Sequence, residues 1–265
     1  MKPATKNIYL LCALLTIALV AAMATLRGQG QQGSPSVRQE KDDERFGPVV
    51  DYIAPVPIEK LAASNRYNDR YLKEDPRVEE ASTNAEWVSN LPAFPVTFSD
   101  AIVLGEVAGA KAYMSGDKTG VYSEFTIRID DVFKNDNQTP LAVGSFVAAE
   151  REGGRIRFPS GHILRYKLSN QNMPRIGRQY ILFLQRADHF LERKEQEPTL
   201  LILTGYELRA GRVFPLDGVE GDNTHRGGHK LPQFAAYEDA DATTFLKSVK
   251  EAITQSLQTS PAQGR

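Results

Sequence analysis

Cysteine is nearly absent. The single Cys12 in 265 residues excludes an internal disulfide, and its place near the N-terminus removes thiol chemistry from everything downstream. Stability must then come from an apolar core, which a domain of this size can supply. Net charge is missing as well: 32 Lys and Arg stand against 33 Asp and Glu, which excludes a generally basic nucleic-acid binder. No G-x-S-x-G elbow, H-E-x-x-H pair or calcium-loop spacing occurs, so the common signatures of serine hydrolases, zinc proteases and EF-hands are lacking.

One near-match to a phosphate loop also fails. "GAKAYMSGDKTG" (109–120) follows the apolar run "AIVLGEVA", but Asp117 separates Gly116 from Lys118 and puts a carboxylate where phosphate charge belongs. The next segment, "VYSEFTIRIDDVFK" (121–134), alternates Val121, Ser123, Phe125, Ile127 and Ile129 with polar neighbours, which is strand periodicity. Strand, Ser-Gly-Asp-Lys-Thr-Gly, strand predicts a β-hairpin whose glycines supply positive φ. Gly105 and Gly109 do not make a G-x-G-x-x-G fingerprint, so no nucleotide is expected.

The N-terminus carries an address. Lys2 and Lys6 precede the uncharged run 8–24, which ends Ala22-Met23-Ala24; this predicts a signal peptide over 1–24, cleaved after Ala24, or an uncleaved anchor over 8–24. Either way the rest is expected across a membrane, periplasmic or secreted. Leu11 stands before Cys12, where a lipoprotein signal would carry a small residue. Residues 25–45 are Gly-, Gln- and charge-rich and read as a tether; 46–96 form a mixed arm that contains one modest helix over 58–74 and packs on the main domain through Trp87, Leu91 and Phe94. A Gly-rich loop (219–240), a helix (241–258) and a tail (259–265) follow the main domain.

That domain, 97–218, reads as strands at 101–113, 121–133, 145–151, 155–158, 163–168, 178–187, 199–208 and 212–215. Turn residues separate them without long helices, so the fold class is mainly β, a small antiparallel barrel with an N-terminal arm and one C-terminal helix. In the helix, Phe245, Leu246, Val249, Ile253 and Leu257 form one stripe, with Asp241 or Thr243 as cap. The order "SDAIVLGEV", "FTIRIDDVFK", "VGSFVAA", "IGRQYILFL" resembles the OB-type barrel of netrin modules and tissue inhibitors of metalloproteases, over 97–218. Exported bacterial proteins of unassigned role look similar. The resemblance implies an OB-like barrel. Those inhibitors set an N-terminal cysteine amine on a protease zinc, and this chain has an arm and no cysteine there.

Catalytic groupings are not evident. Ser160 and His162 are two apart in a turn, Asp130 and Asp131 point to opposite strand faces, and Glu150 and Glu152 read as edge charges beside Arg151 and Arg155. The loop 217–229 offers Asp217, Glu220, Asp222, His225 and His229 as a weak metal set, broken by Gly227 and Gly228; His189 reads as a surface residue. The strongest pattern is charge. Residues 151–178 hold Arg151, Arg155, Arg157, Arg165, Lys167, Arg175 and Arg178, interleaved with Tyr166, against Glu152 alone. On a hairpin such residues share one face and attract anions, unless acids such as Glu192, Glu195 and Glu197 take them up. The expected function is an exported, non-enzymatic binding module with no cofactor, contacting an anionic glycan, lipid headgroups or a protein partner. The alternatives are a metal-dependent protein using 217–229 and an inhibitor-like module using the arm. N-terminal sequencing of the exported protein is expected to start at Thr25; an intact Met1 in the membrane fraction would show an anchor instead.

Overall fold

The computed structural model describes residues 46–68, 72, 74–83, 86–135, 139–187, 199–218 and 230–259. In chain order the first elements are β1 (Val49–Asp51), a 3-10 turn at Ile58–Lys60, α1 (Leu61–Asn65), β2 (Glu80–Thr83) and α2 (Glu86–Asn90). The main strands follow: β3 (Ala101–Met114), β4 (Val121–Lys134), β5 (Phe146–Glu152), β6 (Gly154–Arg157), β7 (Ile163–Leu168), β8 (Gln179–Arg186), β9 (Leu200–Arg209) and β10 (Arg212–Pro215). The chain closes with α3 (Pro232–Ala235), β11 (Ala240–Asp241) and α4 (Ala242–Thr259). The architecture is mainly β, with one large, mostly antiparallel sheet and a C-terminal helix. Every strand expected from alternation is present within one residue at each end.

The large sheet has the order β11-β10-β9-β5-β4-β3-β8, and β9 pairs with β8 as well as β5. All its ladders are antiparallel except β5–β9, where Ala149 and Glu150 run parallel to Leu200 and Leu201. The inward positions of β3, β4, β8 and β9 build one core around Val103, Val107, Phe125, Ile127, Leu182 and Leu184. A second core lies on the other side of β8 and β9. There Ile181, Phe183 and Tyr206 meet Phe245, Val249 and Ile253 of α4, together with Leu91, Phe94 and Val96 from before β3. Asp241 caps α4 by accepting the Thr244 amide at 2.9 Å, and these hydrogen bonds hold its carboxyl below the usual carboxylate range. Leu257, the last residue of the expected stripe, is exposed.

The arm does more than cover this scaffold. β1 and β2 add to the two sides of the β6–β7 hairpin, giving a second, four-stranded sheet β1-β6-β7-β2 with both outer pairings parallel. The helix expected over 58–74 is confined among the described residues to the 3-10 turn and α1; Tyr67, just past its end, stacks on Tyr122 with ring centroids 4.5 Å apart. The side chain of Trp87 lies outside the described residues, as do the segments 1–45 and 260–265. Among the described residues no helix is long and apolar enough to cross a membrane.

The turn between β3 and β4 is a hairpin, but its glycines serve a different purpose from the one expected. The positive φ falls on Lys118 (60°), while Asp117 accepts from the Thr119 amide at 3.0 Å and from Ser115 Oγ at 2.8 Å. Gly116 and Gly120 are needed for close approach to the arm. A Cβ on Gly116 would lie 2.1 Å from Asn65 Oδ1, and one on Gly120 would lie 2.2 Å from the Tyr67 carbonyl oxygen. Gly120→Ala is therefore expected to lower stability by about 1–3 kcal/mol. Gly109→Ala, whose Cβ would meet nothing nearer than 3.9 Å, should stay within about 0.5 kcal/mol by urea denaturation.

Candidate functional site

Period-two alternation sorts the β6–β7 hairpin into two faces. Ile156, Leu164, Tyr166 and Leu168 are buried against β3, β4 and the arm. Their neighbours Arg155, Arg157, Ile163, Arg165 and Lys167 point outward; Arg157 and Ile163 are exposed and the other three are half-buried. Arg155 and Arg165 sit directly opposite one another across the antiparallel pair. The flanking strands add carboxylates to this face. Asp51 is level with Arg157 and accepts from it at 3.4 Å; Glu80 is level with Arg165 and pairs with Lys167 at 2.7 Å. Arg165 lies over the Phe46 ring, 4.3 Å from its centroid, and Arg155 Nε donates to the Gly47 carbonyl at 2.9 Å.

Four of the basic residues thus share one surface, and the other expected members do not join it. Arg151 has no exposed side-chain surface: it donates to the Ile202 carbonyl at 3.2 Å and forms an ion pair with Asp217, equally buried. Its place on β5 turns it into the space between the strand and the chain after β10. Tyr166 is 2% exposed and donates to Glu152 at 3.2 Å, so only its neighbours reach the surface. Arg175 and Arg178 belong to a separate group around Glu207 of β9, at 2.7 Å and 3.8 Å. Glu192, Glu195 and Glu197 lie outside the described residues.

The proposed metal set loses its first member for the same reason. Asp217 Oδ1 holds Arg151 and also accepts the Asn172 amide at 3.1 Å, which makes it a buried structural acid. Glu220, Asp222, His225 and His229 lie outside the described residues, as does His189. Among the described residues no three metal-type side chains gather. Ser160 and His162 are turn residues: the Ser160 hydroxyl donates to Glu74 and accepts the His162 amide at 3.1 Å, while His162 Nε2 lies 2.9 Å from the Val78 carbonyl oxygen. Asp130 accepts from Gln179 at 2.9 Å and Arg128 at 3.2 Å; the expected alternation with Asp131 breaks here, because the ladder with β3 steps from Ile129 to Asp131 and leaves Asp130 in a bulge.

One polar cluster escaped the sequence reading. Glu150, expected as an edge charge, is 2% exposed and receives Arg66 Nη2 at 2.6 Å and the Tyr67 hydroxyl at 3.0 Å. Burial pushes its carboxyl upward, against the pull of Arg66 and Tyr67. Glu124 stands opposite Glu150 on β4, an unfavourable like-charge pair. The arm resolves it by bringing Arg66 to one carboxylate and Lys60 to the other. Burial pulls the Lys60 amine down, but Glu124 outweighs it and leaves it raised. Tyr122 and Glu124 alternate with Phe125 and Ile127 of the main core; that a remote segment would cover them has no local signal in the sequence.

Comparison with known protein families, curated proteins and solved structures finds no match. The arrangement offers an outward, cation-bearing sheet face, and close to it lies the buried Arg151–Asp217 pair. Arg151→Met alone should cost about 3–5 kcal/mol by leaving Asp217 uncompensated, whereas Arg151→Met with Asp217→Leu should recover most of it. Urea denaturation of the three proteins checks this; equal losses in single and double variants would refute it.

Proposed function

We propose that the chain is an exported, non-enzymatic binding module that holds an anionic glycan against the outward face of β6 and β7. One observation carries the reading: Arg155, Arg157, Arg165 and Lys167 fall on a single face of one hairpin, and the described strands that flank it bring Asp51 and Glu80 to that face. Cations repeated along two paired strands suit an extended polymer better than a compact ligand. A lipid surface fits less well, since Ile163 is the one exposed large apolar side chain of the face and membrane-bound surfaces insert apolar groups.

The same reading takes β3, β4, β5, β9 and β8 as a small OB-type barrel. Its support is the double pairing of β9, with β5 in parallel and β8 antiparallel, and the return of β8 to β3. The cation-bearing hairpin β6–β7 belongs to the four-stranded sheet and not to these barrel strands. Export rests on the segment 1–24, which lies outside the described residues.

The test is retention on an immobilised anionic glycan across a salt gradient. The wild type is expected to elute late, and Arg155→Glu/Arg157→Glu/Arg165→Glu early, with at least about a hundredfold weaker binding at ~1 kcal/mol per cation. Coincident elution of the two proteins would overturn the proposal.

A further inference from the structure

Building on the polyanion reading, we propose that Arg155 and Arg165 act as a paired guanidinium fork that selects tetrahedral oxyanions, sulfate or phosphate esters on a sugar, over carboxylates. The two residues are directly opposite in an antiparallel ladder, where facing Cα atoms stand about 4.5–5.5 Å apart. Both side chains can therefore reach one group. Each is also braced from the same place: Phe46 stacks on the Arg165 guanidinium at 4.3 Å, and the next residue, Gly47, accepts from Arg155 Nε at 2.9 Å. With Nε engaged, Arg155 meets a ligand through its terminal nitrogens, and the ligand displaces whatever those nitrogens hold in its absence. Bracing lowers the ordering cost of the fork, the property that separates arginine from lysine at oxyanion sites.

Oxygen count then sets the preference. A carboxylate has two oxygens in one plane, and a bidentate guanidinium engages both along one edge, so a second arginine can only share those same two oxygens from the side. A sulfate or phosphate ester has three terminal oxygens and can accept from both arginines at once. Arg157 and Lys167 lie one side-chain repeat further along, roughly 7 Å away, each beside its own acid, Asp51 or Glu80. They add charge along the polymer without taking part in the fork.

The experiment measures Kd of the purified chain for dextran sulfate and for polygalacturonate at matched charge density and fixed salt. Wild type should bind the sulfated polymer about tenfold more tightly. Arg155→Lys/Arg165→Lys keeps the charge and should erase that preference while retaining salt-sensitive binding to both polymers. Phe46→Ala, which keeps every cation, should reduce the preference roughly threefold. Thermal melting confirms that each variant is folded, and Phe46→Ala decides the matter if the lysine variant is not. An unchanged preference in the folded variants, or an equal loss on both polymers, overturns the fork while leaving the polyanion face in place. Failure of the wild type to bind either polymer overturns both.

Discussion

Arg151 reaches from the end of β5 to Asp217, beyond the end of β10, and on the way donates to the Ile202 carbonyl of β9. Asp217 in turn holds the Asn172 amide, fixing the segment between β7 and β8. Four separate stretches of chain thus converge on one ion pair that has no access to water. Burying two charges is expensive, and their mutual attraction repays it only when the geometry is well satisfied. The pair therefore confers position more than stability: Gly153, the residue joining β5 to β6, lies two residues from Arg151, so the β6–β7 hairpin leaves the large sheet from a fixed point.

From that point the small sheet is assembled by the arm. β1 and β2 pair in parallel with β6 and β7, so the hairpin gains neighbours on both edges from residues distant in sequence. The arm is held in turn by Lys60 and Arg66, which neutralise the facing carboxylates Glu124 and Glu150, and by Tyr67 on Tyr122. Those contacts need a tight hairpin tip, which explains Gly116 and Gly120. The outward cations sit on the far side of this construction, where Phe46 and Gly47, the first described residues of the arm, brace Arg165 and Arg155. Binding face and arm are accordingly one structural unit.

Much of the strand framework was legible because alternation is a local property. The run from Val121 to Lys134 could be read as a strand from its own residues, and the register of Arg155 against Arg165 follows from a short hairpin loop. The arm was harder. β1 and β2 have three and four residues, too few for a periodic signal, and they exist because an unpaired edge of β6 or β7 is available to them. The basic run from 151 to 178 was visible as composition, yet it dissolved into three environments: a buried pair at Arg151, the outward face of β6–β7, and the Glu207 group at Arg175 and Arg178.

Local sequence was enough to place the eight strands between 101 and 215, a C-terminal helix with Asp241 or Thr243 as its cap, and the side chains that share a face wherever a strand alternates without a bulge. Those features depend on residues within a few positions of one another. Tertiary structure alone decided which of the two faces meets water. Glu150 and Glu124 are covered because Lys60, Arg66 and Tyr67, flanking α1, reach over them, Arg151 is sealed because Asp217 arrives from beyond β10, and Arg155, Arg157, Arg165 and Lys167 keep an exposed or half-buried position beside Phe46 and Gly47. A repeat of two assigns side chains to opposite sides of a sheet; only contacts between distant segments fix which side is the interior.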